Sequence, residues 1–317
     1  FTGGTGFVGT WMVSVLLRAV DRGMLRAEAS LLTRSVSNFS SRAPEIASHR
    51  FVRLIEGDVL QDGWSLDGCS HLVAGATEAS AALIKEQPRL MLETIVDGTR
   101  RTLDLADRAG VSRAMFLSSG AANGPQTPSV SRVRETDFFG PDPLSLRSVY
   151  AEGKRLGEML FALSASSSFS ISIARLWAFV GPLLPLDTHF AIGNFLGDAM
   201  AGRPIRILGD GTTVRSYQYA SEMAAWNWII LASGRDIAAY NVGSDEGVSI
   251  RDLAQQCDRV AGGAGFEILG KPDPSRRIDV YVPNTDLFRQ EFEVDTGLDL
   301  TASLTKTLFW HRKGTRQ

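Results

Sequence analysis

The chain has 317 residues, 44% of them hydrophobic and 21% charged, with a formal net charge of −2. That length and balance fit one large α/β unit or two closely joined domains, and they lack the strong basic excess of a nucleic-acid surface. Two distant cysteines, Cys69 and Cys257, have no metal-like spacing and point to a reducing, cytoplasmic setting, while no apolar run reaches the ~18 residues that span a bilayer and no signal peptide is read.

The opening run is Thr2-Gly3-Gly4-Thr5-Gly6-Phe7-Val8-Gly9, followed by an apolar stretch from Trp11 to Val20. Gly3, Gly6 and Gly9 stand three apart at the head of a predicted helix. Without Cβ atoms they allow a tight turn, close approach of a phosphate and close packing of helix on strand. The free N–H groups at the helix start, together with the helix dipole, favour an anion there. This is the pattern of a dinucleotide pyrophosphate cradle. The body of the strand that should feed such a loop is expected upstream of Phe1.

Further along, strands are predicted at 31–33, 51–55, 71–74, 114–117 and 170–176, and helices at 10–20, 88–110 and 150–165. Strands alternating with helices predict a parallel sheet with helices on both faces. Ligands in such sheets sit beyond the carboxyl ends of the strands, so the polar and glycine residues that end each run are the site candidates. After Leu176 the rhythm breaks. A loop is predicted at 181–185, a helix at 190–201, a short strand at 204–208, a helix at 221–233, a strand at 239–242 and a helix at 250–261 behind Ser249 as N-cap. The division expected is a dinucleotide-binding domain over 1–176, to which 218–243 returns, and a smaller mixed α/β substrate lobe over 177–217 and 244–317 that closes over the sheet.

The second anchor is Tyr150-Ala151-Glu152-Gly153-Lys154. Residues four apart share one helix face, and an ammonium beside a phenol favours the phenolate. That makes Tyr150 usable as an acid or base nearer to neutral pH. Ser119 ends the preceding strand and can share a proton with the tyrosine and a substrate oxygen.

Together these runs resemble an extended short-chain dehydrogenase/reductase of the NAD-dependent epimerase/dehydratase family, which acts on nucleotide sugars. The resemblance spans nearly the whole chain. It is carried by the glycine loop, Gly57-Asp58-Val59, Phe116-Leu117-Ser118-Ser119, Tyr150 with Lys154, Arg175-Leu176-Trp177 leading to Gly181-Pro182, Gly209-Asp210-Gly211, Arg215-Ser216-Tyr217-Gln218-Tyr219 and Tyr240-Asn241-Val242-Gly243. It implies a Rossmann-type doubly wound sheet. It also implies roles: Gly3, Gly6, Phe7, Val8 and Gly9 would hold the pyrophosphate, Asp58 and Val59 would flank the adenine, and Ala74 and Ala76 would line the cofactor near its ribose. Tyr150 would be the acid/base, Lys154 would bind the nicotinamide ribose and tune Tyr150, and Ser119 would bond the reacting oxygen. Asn194, Arg215 and Arg277 match positions that contact the sugar or grip the diphosphate, for which a guanidinium fork is well shaped. Thr77 and Glu78, after the third strand, face the sugar in such an arrangement; Glu78 reads equally as a solvated loop acid.

Arg34 bears on the cofactor. An acidic residue at the end of the second strand would accept bonds from the ribose hydroxyls of NAD, whereas an arginine there meets a 2′-phosphate, which tips the reading from NAD towards NADP. Four departures from the family pattern stand out. Gly120 and Ala121 occupy the positions where dehydratases carry an acidic pair and sugar-acid decarboxylases a glutamate; Asn123 replaces a tyrosine, Ala74 a histidine and Ile95 an asparagine. Water elimination needs a group to take a carbon-bound proton, so dehydration is disfavoured. The function expected is nucleotide-sugar epimerisation, at C4 first, through a keto intermediate. Reduction of a 4-keto sugar by NADPH is the alternative, a dehydratase or decarboxylase comes after it, and a dinucleotide-binding sensor or scaffold is the non-enzyme reading. His49, His71, His189 and His311 show no ligand spacing with cysteines or acids, so no metal is expected. Broad apolar stripes on the helices at 88–110 and 150–165 predict a homodimer.

Overall fold

The computed structural model describes residues 1–77, 81–166, 168–186, 190–273, 275, 277–295 and 297–314. They divide into two compact units: 1–124, 140–176 and 224–240 in the first, 125–139, 177–223 and 241–317 in the second.

The first unit is built on β1 (Ala29–Thr33), β2 (Val52–Glu56), β3 (His71–Ala74), β4 (Arg113–Ser119) and β5 (Ser170–Leu176). β1 pairs with β2, β3 with β4 and β4 with β5, all parallel. Thr2 bridges both Leu32 of β1 and Ala74 of β3, in parallel with each. Its N–H donates to the Val73 carbonyl, and its own carbonyl accepts from Gly75. The order is therefore β2-β1-Thr2-β3-β4-β5, and the chain reverses direction across the sheet beside Thr2. The glycine loop springs from that switch point, where a doubly wound sheet opens a crevice. This confirms the α/β fold read from the sequence.

Alternation along β1 explains the two layers of helix. Ala29 and Leu31 pack with Val13, Leu16 and Leu17 of α1 (Phe7–Asp21), Phe39 of α2 (Val36–Arg42), and Trp228. Leu32 points the other way, into a core shared with Met91, Ile95 and Leu103 of α5 (Pro88–Arg108) and Phe161 of α6 (Val149–Ser164). Two smaller helices, α3 (Pro44–Ala47) and α4 (Ala81–Glu86), lie between them in sequence. The predicted helix at 150–165 is thus α6, and that at 88–110 is α5, started by Pro88 at its first turn. Gly157 lets α6 close on β4: a Cβ there would meet the Phe116 ring at 2.3 Å. The departure at Ile95 is an apolar fill. Ile95 is 1% exposed, and its Cδ1 would lie 3.0 Å from a Cβ on Gly153 of α6.

The second unit holds short strands, β6 (Phe179–Val180), β7 (Ile205–Ile207), β8 (Val214–Arg215), β9 (Gln218–Tyr219), β11 (Val248–Ser249), β12 (Phe266–Ile268) and β13 (Val280–Tyr281), with α7 (Ala191–Met200), α9 (Ile250–Ala261), α10 (Asp286–Phe292) and α11 (Leu300–Gly314). α8 (Ala220–Ser233) and β10 (Ala238–Val242) begin or end where the two units exchange chain, and β10 is bonded beside β5. The sheets are β11-β8-β13, β12-β7 and β6-β9. Ser249 caps α9 as the sequence predicts, accepting the Asp252 N–H at 3.0 Å. The segment 125–139 is tied into this unit: Glu135 accepts the Asn241 N–H at 2.8 Å, and Asn241 Nδ2 donates to the Val133 carbonyl at 2.9 Å. Among the described residues no helix is long and apolar enough to cross a membrane.

Candidate active site

The glycine loop answers the question of cofactor fit. Gly3 has φ +74, and a Cβ on it would lie 2.3 Å from the Gly75 carbonyl oxygen. A Cβ on Gly9 would lie 2.5 Å from Gly3 O and Gly4 Cα. Both glycines are demanded by the protein's own packing. Gly6 is not: a Cβ there would meet only Gly3 O, at 3.5 Å. Its bareness instead keeps open the N-terminus of α1, which has no side-chain cap and no acid in its first turn. Phe7, Val8 and Gly9 thus present a helix N-terminus open to an anion, and the residues fit a dinucleotide pyrophosphate.

The other predicted cofactor residues fall around this loop's unit. Asp58 follows β2, and its Oδ1 accepts the Leu60 N–H at 2.9 Å, which shapes the turn. Val59 is buried against Gly98. Ala74 is buried at the end of β3, with Ala76 beyond it half-buried. Arg34 is exposed directly after β1. Thr77 Oγ1 is buried without a hydrogen-bond partner. Glu78 lies outside the described residues.

The cradle leads to the catalytic candidates through direct contacts. A Cβ on Gly75 would meet the Leu117 side chain at 2.7 Å, and the Leu117 carbonyl accepts the Lys154 Nζ at 2.7 Å. Lys154 is 2% exposed; its Nζ lies 4.9 Å from the Phe116 ring centre and 5.8 Å from that of Tyr150. Ser119 is buried at the end of β4, where its Oγ accepts the Ala121 N–H at 3.2 Å and its side chain hydrogen-bonds Tyr150. The structure therefore brings Ser119, Tyr150 and Lys154 together. Burial pushes the Tyr150 phenol up, and the bond to Ser119 opposes it. Burial pulls Lys154 down to about 7, opposed by the negative charge of Glu158. A neighbouring ammonium by itself would lower the phenol, but in this site desolvation dominates both groups.

In the second unit Asn194 is exposed on α7. Arg215 on β8 is held to Asp279, its Nη2 donating to Oδ2 at 2.5 Å, and its guanidinium lies 5.8 Å from the Tyr281 ring centre. Arg277 is exposed two residues before Asp279, so Arg215 is bound to the segment that carries Arg277. Sequence reasoning missed the Leu117 carbonyl and Glu158. The signals were present: Glu158 stands one turn after Lys154, and Arg175 is the one charge in the strand Ser170–Leu176. Among the described residues no three histidine, cysteine or acidic side chains converge as metal ligands.

The glycine loop and the Ser119–Tyr150–Lys154 cluster both lie at the carboxyl ends of a parallel, Rossmann-type sheet. The chain belongs to the NAD dependent epimerase/dehydratase family, whose profile matches residues 1–243. It is 29% identical over 292 residues to UDP-glucuronic acid decarboxylase 4 of Arabidopsis thaliana, covering 90% of this chain and 59% of that one. It is 26% identical to UDP-glucuronic acid decarboxylase 1 of Xenopus tropicalis, covering 98% and 71%. The chain thus spans about three-fifths of the length of the Arabidopsis relative. In fold it is similar to a UDP-glucose 4-epimerase from Thermotoga maritima solved with UDP-glucose, at TM-score 0.82 and 21% identity over 99% of this chain and 98% of that one. It is also similar to a double mutant of the dTDP-glucose 4,6-dehydratase DesIV from Streptomyces venezuelae, solved with NAD, at TM-score 0.84 and 20% identity over 99% and 97%.

Proposed function

We propose that the protein oxidises a hydroxyl of a nucleotide sugar to a ketone and then reduces the ketone from its other face, as a nucleotide-sugar epimerase with C4 as the first choice of carbon. The buried Ser119–Tyr150–Lys154 cluster at the end of β4 carries this reading. NAD(P), held on Gly3, Gly6, Phe7, Val8 and Gly9, supplies hydride exchange. The protein supplies the proton chemistry. Tyr150 as the phenolate takes the hydroxyl proton and becomes the phenol, Ser119 holds the reacting oxygen, and the Lys154 ammonium stabilises the phenolate before the transfer. Tyr150 then returns its proton to the sugar oxygen when the ketone is reduced.

The curated relatives favour a second reading, decarboxylation of UDP-glucuronate. Its chemistry needs little more than the first step: a ketone at C4 makes the carboxylate a β-keto acid, which loses CO2 without a base at carbon. The bare Gly120–Ala121 turn therefore speaks against dehydration more strongly than against decarboxylation. Both readings are tested by incubating the protein with NAD or NADP and UDP-glucose, UDP-galactose or UDP-glucuronate. Epimerisation converts the first two into each other with no net cofactor consumption. Release of CO2 and a UDP-pentose from the third establishes the decarboxylase, and a protein inert towards all three contradicts both. Arg34, exposed after β1, supports NADP as the tighter ligand, and comparison of the two dissociation constants decides it.

A homodimer belongs to the same reading. Leu156, Met159 and Leu163 on α6 are 47%, 58% and 75% exposed, and spacings of three and four put them on one stripe. Leu90 on the neighbouring α5 is 37% exposed. A second copy of this chain would cover that face.

A further inference from the structure

Glu158 is a half-buried acid with no part in the proton chemistry above. It lies one helical turn beyond Lys154 and two beyond Tyr150, on the face of α6 that carries both. Its carboxylate is fully engaged. Oε1 accepts Arg175 Nε at 2.9 Å and the Ser118 hydroxyl at 2.5 Å, and Oε2 accepts Arg175 Nη2 at 2.7 Å. The Arg175 side chain is 4% exposed and that of Glu158 14%. The partners come from adjacent strands, Ser118 from β4 and Arg175 from β5, whose Ser118–Arg175 register is direct. Ser118 stands between the Leu117 carbonyl that receives Lys154 and the Ser119 hydroxyl that meets Tyr150.

We propose that Glu158, clamped by Arg175 and Ser118, is a positioning residue for Lys154: it fixes α6 on the ends of β4 and β5 so that the lysine reaches the Leu117 carbonyl beneath Tyr150. It rests on the reading of Lys154 as the residue that tunes Tyr150. A forked guanidinium–carboxylate pair holds one geometry, which a single hydroxyl bond does not. The pair also acts electrostatically. Glu158 is the acid whose charge offsets the burial of Lys154. Among the described residues, the ammonium also lies near the Leu117 carbonyl and the Phe116 ring of β4 and the Tyr150 ring of α6, and Arg175 of β5 is reached through Glu158. The buried residues of α5, which packs on α6, are Met91, Ile95, Gly98, Thr99, Thr102, Leu103 and Ala106, none of them titratable.

The test reads Lys154 directly. In protein with 15N-labelled lysine, the Lys154 Nζ signal, assigned by its loss in K154R, is titrated in wild type and in E158Q. The wild-type midpoint should lie near 7 and fall by about one unit in E158Q, because an opposite charge has been removed. E158Q should lower kcat roughly tenfold with KM within about twofold, and E158D should restore part of it. Should E158Q fail to fold with Arg175 left uncompensated, E158M/R175M replaces the pair by apolar groups and gives the same titration readout. An unmoved midpoint in the folded variant, or an unmoved kcat, overturns the proposal. A moved midpoint in a protein that turns over no nucleotide sugar leaves the positioning of Lys154 standing and removes the proposed reaction instead.

Discussion

Lys154 is the residue at which packing and chemistry pull in opposite directions. In the fold its ammonium is buried and titrates at about 7; in an unfolded chain it titrates near its ordinary 10.5. Between those values the unfolded chain binds more protons, so stability must rise with pH from about 7 to about 10.5 and lie flat at its lowest below 7. K154M removes this slope. Urea unfolding at pH 6 and pH 9 should show wild type gaining on K154M by about 3 kcal/mol, roughly 1.4 for each of the two pH units inside the window. Equal differences at both pH values would mean that the lysine is not neutralised by burial. Tyr150 and Ser119 differ in kind from this. Y150F should cost turnover roughly a hundredfold or more while dinucleotide affinity stays within a few-fold, and S119A about tenfold. Isothermal titration with cofactor beside steady-state kinetics separates the two effects.

At the scale of elements, the loop and helix α1 make an uneven demand on their glycines. G9A forces a Cβ into the backbone of Gly3 and Gly4 and should destabilise the fold outright. G6A has room, so its melting temperature should stay within a few degrees while dinucleotide affinity drops tenfold or more. Calorimetry on the two variants checks the contrast; a G6A protein that binds normally would leave the helix N-terminus without its ligand. Helix α6 carries a comparable division of labour. One face holds Tyr150, Lys154 and Glu158, and another holds Leu156, Met159 and Leu163. L163E should convert a sedimenting dimer to monomer without touching the first face. A wild-type protein that sediments as a monomer at micromolar concentration contradicts the dimer.

At the scale of the molecule, the sheet was legible because β1, β3, β4 and β5 are buried along most of their length on both faces and read as apolar runs. The segments 71–74 and 170–176 coincide with β3 and β5, the runs at 31–33 and 114–117 lie inside β1 and β4, and the run at 51–55 is β2 read one residue early. Thr2, bridged to both Leu32 and Ala74, holds the place in the sheet that the glycine loop calls for in a strand. α2 escaped notice because Val36–Arg42 is short and mostly polar, and α3 because four residues, Pro44–Ala47, are too few to show a period. The two-residue strands β6, β8, β9, β11 and β13 are set by tertiary pairing and have no periodicity to read. In the site, Tyr150, Lys154 and Ser119 were found by helical spacing and strand ends. The Glu158–Arg175 pair was not, since its members are 17 residues apart on different elements and only folding makes them neighbours.

The central claim is that this cluster performs reversible hydride chemistry on a nucleotide sugar. Its most direct test is a single-turnover experiment on the cofactor-loaded protein, following the reduced-nicotinamide absorbance after UDP-glucose, UDP-galactose or UDP-glucuronate is added. A transient rise that decays as an altered sugar appears is expected, with no rise in Y150F. A flat trace and unchanged sugar for all three, with NAD or NADP bound, would contradict it.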